Sequence, residues 1–307
     1  MFRPYLIKTS KLSTNLLYYY YNLSGGKAYN DLANPIVLSI ATFRKYNPSE
    51  PIYVLDVSPT KMDWGLFPSL LNFHVIRKPM VYDVKPPESK YKINKYLLAK
   101  PAEMYLLSQD KTIRRDPVIV CDSDVFFLKN PLPLSIDHTK GICCARNTGY
   151  YYFMNGGQGV EEIFEAWCSA CSGALLDPVV QNAIQKSTNW DLFNEEVVLW
   201  YIKDKYRELN INDIPVWENF WFSWLYVKSF DLSNVKNLHY CVHVDNPVIP
   251  RNERGKVCMY IKELSLIVKE VLGNHLYDVI GDFQCKSFSI HDSDKIRQII
   301  GLEKNKL

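Results

Sequence analysis

The chain has 307 residues, 47% of them hydrophobic and 14% aromatic, which fits a folded globular protein and excludes a disordered one. Its net charge is only +3 and no long basic run occurs, so nucleic acid is not expected as a partner. No apolar segment reaches the roughly 18 residues of a membrane-spanning helix, and Met1 to Lys8 lacks the apolar core of a signal peptide, so the expected compartment is the cytoplasm.

In chain order, Asn15 to Tyr21 reads as a first strand, ending in the Gly-rich loop Asn22 to Tyr29. Pro35 to Tyr46 reads as a helix, with Ile36, Val37, Ile40 and Phe43 at helical spacing and Pro35 suited to its first turn. Ile52 to Asp56 is a strand ending in an acid. Together these segments give β-loop-α-β, the opening of a nucleotide-binding α/β fold. Asp63 to Leu71 predicts a short helix, and Phe73 to Ile76 a strand. Tyr91 to Gln109 predicts a helix broken or re-entered near Pro101. Val118 to Cys121, Gly141 to Arg146 and Tyr150 to Met154 predict strands, the last running into Asn155-Gly156-Gly157. Val160 to Cys171, Leu176 to Lys186 and Glu195 to Tyr206 predict helices, the third with two acids in its first turn. His239 to Val244 is a short strand with His243 near its end. Tyr260 to Gly273 and Ser293 to Ile300 read as closing helices. The eight cysteines fit reduced thiols, and Cys168–Cys171 lacks the second pair a zinc site needs.

The segment richest in chemistry is Val118-Ile-Val-Cys-Asp-Ser-Asp-Val-Phe-Phe-Leu128. Two acids, Asp122 and Asp124, stand between apolar runs. An unpaired buried carboxylate is costly. Two carboxylates at this spacing on a strand end can share one hard cation, Mn²⁺ or Mg²⁺. Such an ion would neutralise a leaving diphosphate. A polar turn between two strands is the plain alternative.

With its flanking strands and its Asn-Pro stop, this segment resembles the Asp-x-Asp motif of GT-A glycosyltransferases. The order of elements from about Asn15 to Pro250 is similar to that family. The resemblance implies a single α/β GT-A (Rossmann-like) domain over 1–307, with a central mixed, mostly parallel sheet flanked by helices. Its nucleotide-binding half would span about 10–130, its acceptor-binding half about 131–260, and a helical tail about 261–307. It also resembles the soluble glycosyltransferases of large algal viruses.

The resemblance implies metal ligation by Asp122 and Asp124, completed by a late histidine, His243 before His239. It places Tyr20 and Asn22 at the base and ribose, with Ser123 between the two acids. Asp56 would face the base or cap the next turn. A basic residue belongs near the donor diphosphate, matched by Lys95 or Lys100, although Pro101 after Lys100 favours a solvated lysine. Asn155, Gly156 and Gly157 match an Asn-x-Gly lining the donor cleft, with an ordinary turn as the alternative. Glu195 and Glu196, with Asp191 as a third candidate, match the late acids that face the acceptor hydroxyl or the anomeric carbon. Arg251 would close over the diphosphate. The implied reaction moves a sugar from a nucleoside-diphosphate sugar, UDP-sugar favoured, to a glycan or glycoprotein hydroxyl. A sugar nucleotidyltransferase and a non-catalytic glycan-binding relative are the competing readings.

Overall fold

A computed structural model describes residues 14–21, 26–27, 35–65, 67–81, 86, 88–111, 113, 117–134, 136–137, 139–145, 147–221 and 234–239. The chain begins with β1 (Asn15–Tyr20), α1 (Pro35–Tyr46), β2 (Ile52–Asp56) and β3 (His74–Arg77). Helix α2 (Lys95–Ser108) leads into β4 (Pro117–Cys121) and the short β5 (Val125–Phe127). Strands β6 (Ile142–Cys144) and β7 (Tyr150–Met154) follow, then helices α3 (Val160–Leu176), α4 (Pro178–Thr188) and α5 (Glu195–Lys205). Strands β8 (Ile211–Asp213) and β9 (Asn237–His239) complete the described elements used below.

Seven strands make one sheet in the order β8-β6-β7-β4-β1-β2-β3. Each neighbouring pair is parallel except β7, which runs against both β4 and β6. The sheet is therefore mixed and mostly parallel, as expected. Residues of β4 are fully buried, because a central strand is covered on both faces. Its alternating side chains feed two cores. Ile119 and Cys121 join the core that contains Ile36, Ile40 and Phe43 of α1. Val118 and Val120 join the core beneath α2, α3 and α5, with Leu98, Trp167 and Val198. Helices thus cover both faces of the sheet.

Several boundaries differ from the sequence reading for physical reasons. Helix α2 runs through Pro101 without ending. A helix-interior proline costs about 3 kcal/mol, and burial of Leu98, Ala99, Ala102, Met104 and Leu107 offsets it. The residues before it, Lys92–Ile93, form a two-residue strand with Leu192–Phe193 rather than helix. Met62–Asp63 likewise pairs with Gly26–Lys27, so the expected helix there shrinks to Phe67–Leu70. Helix α3 extends to Leu176, since Ala174 and Leu175 are also buried. It stops where Asp177 caps α4 by accepting from the Val179 amide at 2.8 Å, with Pro178 in the first turn.

Among the described residues no single helix is long and apolar enough to cross a membrane. The expected helices beyond Tyr260, and Asn22, His243 and Arg251, lie outside the described residues.

The parallel strands β1, β2 and β4 all end at one edge of the sheet. Antiparallel β7 starts at that same edge, with Tyr150 opposite Cys121. Such carboxyl-end crevices are where open α/β sheets hold their ligands.

Candidate active site

Asp122 follows the last residue of β4. Its amide donates to the Gly149 carbonyl at 2.7 Å, which fixes it against the start of β7. A tight turn through Ser123 brings in Asp124, closed by the Val125 amide on the Asp122 carbonyl at 3.3 Å. The apolar run Val125–Phe127 then enters a small sheet with β9, whose His239 pairs opposite Val125. That register carries an imidazole to the two acids. His239 Nε2 lies 3.2 Å from Asp124 Oδ1 and 3.9 Å from Asp122 Oδ2. One ligand atom from each residue falls within 4.8 Å of the others. Burial lowers the His239 pKa, but the Asp124 charge outweighs it and the net shift is upward. Burial would raise the Asp124 carboxyl, and His239 reverses that and holds it below the usual carboxylate range.

The imidazole is itself held from behind. The Asn147 side-chain amide meets His239 Nδ1 at 2.5 Å. The Asn147 carbonyl oxygen accepts from the Gly149 amide at 3.3 Å and from Asn219 Nδ2 at 2.5 Å. Gly149 is required by close approach: a Cβ there would lie 2.2 Å from His239 Cε1.

Lys100 corrects the expectation of a solvated lysine. It is 1% exposed, and its Nζ lies 2.5 Å from Asp122 Oδ1 and 3.1 Å from Glu195 Oε1. Its third contact is the Thr148 carbonyl at 3.3 Å. Three donors thus meet three acceptors. Burial pulls the amine's pKa down, and Asp122 and Glu195 together more than restore it. In the sequence only the resemblance pointed to Lys95 or Lys100, because nothing local tells which lysine lies against acids distant in the chain.

Glu195 opens α5, where Asn194 caps the helix by accepting from the Val197 amide at 3.0 Å. The pairing of Leu192–Phe193 with Lys92–Ile93 sets this helix start beside α2. Glu195 is 3% exposed, and its Oε1 also accepts from Thr148 Oγ1 at 3.3 Å. Its Oε2 has no hydrogen-bond partner among the described residues. Burial raises its pKa and Lys100 opposes, with the net direction upward. Glu196 is half-buried, and burial, then the Glu195 charge, push its carboxyl up to about 8.

The other expected residues fall elsewhere or serve locally. Asp191 is exposed in the turn before Leu192, where its carbonyl accepts from the Lys92 amide at 2.9 Å. Asp56 takes the capping alternative: it accepts from the Ser58 amide at 2.9 Å and Trp64 Nε1 at 3.2 Å, with Arg77 at 3.8 Å. Tyr20 ends β1 and packs edge-on against Trp64, centroids 5.0 Å apart. Ser123 is half-buried in the Asp-x-Asp turn.

Asn155, Gly156 and Gly157 are a correction. Strand β7 is antiparallel to β4, with Met154 opposite Pro117, so this turn sits at the far end of the sheet from Asp122. Asn155 there bonds the Ser108 carbonyl at 2.6 Å, as an ordinary turn residue. The Asn-x-Gly at the site is Asn147-Thr148-Gly149, before β7 instead of after it.

No protein-family model matches the sequence, and no curated protein matches it. Solved structures do. The glycosyltransferase GlyE of Streptococcus pneumoniae TIGR4 is similar over 90% of this chain and 66% of its own, at 14% identity and TM-score 0.50. Mouse xyloside xylosyltransferase 1 is similar over 75% of this chain and 98% of its own, at 13% identity and TM-score 0.49. The galactosyltransferase LgtC, solved with donor and acceptor sugar analogues, is similar over 92% and 99%, at 9% identity and TM-score 0.47. At these identities the likeness concerns the fold. The chain has the GT-A fold, with an Asp122-x-Asp124 pair beside His239.

Proposed function

We propose that this protein is a metal-dependent glycosyltransferase. It moves a sugar from a nucleoside-diphosphate sugar, UDP-sugar favoured, to a hydroxyl of a glycan or glycoprotein acceptor. The observation that carries this reading is the meeting of Asp122, Asp124 and His239 at the ligand-binding edge of a GT-A sheet.

The donor set fits the group. Two carboxylates and one imidazole, within 4.8 Å of one another, suit a hard or borderline divalent ion such as Mn²⁺ or Mg²⁺. When bound, the ion supplies Lewis-acid neutralisation of the departing diphosphate. The chain's own residues do the rest. Lys100 orients the Asp122 carboxylate from the buried side and fixes Glu195 next to it. Glu195 Oε1 is occupied by Lys100 and Thr148, which makes Glu195 a fixed wall of the sugar pocket. Glu196 is the acid of the pair that Lys100 does not hold. Its pKa of about 8 suits proton transfer with an acceptor hydroxyl near neutral pH.

The test is release of nucleoside diphosphate from a panel of nucleotide-sugars, with and without Mn²⁺, in wild type and Asp124→Ala. The expected result is turnover of one donor that needs Mn²⁺ and disappears in the variant. Turnover that persists in Asp124→Ala, or no donor binding at all, overturns the proposal.

A further inference from the structure

Beyond Glu196 the same face of α5 continues into a cavity of about 640 Å³, whose walls include Trp190, Trp200, Lys203, Asp204, Arg207 and Asp213. That volume lies within the roughly 300–1,000 Å³ of small-molecule sites. Trp200 is one helical turn after Glu196, and Lys203 nearly one turn further. Cys144 and Ala145 close the inner end. Two residues on from Ala145 stands Asn147, beside Thr148. The cavity thus adjoins the candidate acid along one face of α5.

The aromatic wall is exposed where burial would be the ordinary fate of an indole. Trp190 is 46% exposed. It stands edge-to-face with Trp200, centroids 5.6 Å apart at 78°. It is set there by Asn189, which caps α4 at φ 58° and turns the chain. The polar wall is balanced in sign. Lys203 and Arg207 share the lining with Asp204 and Asp213, and Lys203 pairs with Asp213 at 2.6 Å. Such a lining has no net charge with which to attract an anion. Its interspersed charges also exclude an apolar partner. An exposed indole beside charged donors and acceptors of both signs fits the C–H face and hydroxyls of a pyranose.

We propose that this cavity binds the acceptor, and that the acceptor is an uncharged oligosaccharide. One sugar ring lies on Trp190, while Asp204, Arg207 and the Lys203–Asp213 pair bond its hydroxyls. The chain of sugars leads its terminal hydroxyl toward Glu196. This inference rests on the transferase reading and adds the class of acceptor and its place.

The experiment titrates the full-length protein, without donor, with cellotetraose, maltotetraose, xylotetraose and β-1,4-galactotetraose, and with each parent monosaccharide. Binding is followed by the indole N–H resonances. At least one tetrasaccharide is expected to bind about tenfold more tightly than its monosaccharide. Trp190→Ala loses that advantage, and Trp190→Phe keeps most of it. Arg207→Ala, an exposed change that leaves the indole pair intact, weakens the same tetrasaccharide several-fold. If no tetrasaccharide outbinds its monosaccharide, or if Trp190→Ala binds as wild type does, the proposal fails. Wild-type donor turnover is read separately. Its absence alongside Trp190-dependent oligosaccharide binding removes the transferase reading and leaves the glycan site. Donor turnover without oligosaccharide binding does the reverse.

Discussion

Lys100 holds the site's charges together. It sits between a half-buried and a buried carboxylate. A buried pair contributes little over an apolar substitute, but removing one partner strands the other. Lys100→Ala is therefore expected to lower stability by about 3–5 kcal/mol, as read by urea unfolding. A loss under about 1 kcal/mol would mean that Asp122 and Glu195 are solvated in solution. Asn147 acts at longer range. Through its bond to His239 Nδ1 it fixes the ring that faces the two acids. Because this contact sets the plane of the ring, Asn147→Ala is expected to weaken Mn²⁺ binding at the proposed site by about tenfold. Calorimetric titration with Mn²⁺ checks this, and unchanged affinity would remove Asn147 from the site.

At the scale of elements, the site depends on where one helix begins and on how two strands pair. Helix α5 delivers Glu195 because Asn194 caps it, and Trp167 of α3 donates to the Glu195 carbonyl at 2.9 Å. Asn194→Ala is expected to cost about 1 kcal/mol through the lost cap, seen as a lower urea midpoint. A neutral result would show that the Trp167 contact alone sets the helix start. Strand β7 makes the opposite point about direction. Two Asn-x-Gly patterns flank it, and its hydrophobic run is the same read either way. Only pairing against β4 decides that Asn147-Thr148-Gly149 meets Asp122 and that Asn155-Gly156-Gly157 does not. The histidine was similarly ambiguous. His239 and His243 share one strand pattern in sequence, and the register of β9 against β5 is what carries His239 to Asp124.

Across the whole molecule, the site's acids make folding depend on pH. Glu196 has its folded pKa raised to about 8 from an ordinary 4.5. The folded state therefore keeps its proton where the unfolded state has released it. The stability this gives is fully present below about pH 4.5 and is lost as pH rises through about 8. Glu196→Gln cannot ionise and lacks this slope. Relative to wild type, the variant is expected to gain stability between those two pH values, measured by urea unfolding at each end. A constant difference between the two proteins would show that Glu196 titrates as a solvent-exposed acid.

The local sequence settled what local chemistry can settle. Apolar β-branched runs fixed the central strands, helical spacing fixed α1 and α3, and two acids between buried runs marked Asp122 and Asp124, because an unsatisfied buried charge is too costly to be incidental. The break between α3 and α4 is also local, at Asp177 and Pro178, although the sequence reading began that helix at Leu176. The tertiary structure decided whatever depends on a partner distant in sequence. Lys100 reaches the candidate site only because α2 lies beside both β4 and α5, and His239, Asn147 and Glu195 come to it by strand register and direction. Those relations rest on cooperative packing of the two cores about one sheet, which no single stretch of sequence encodes.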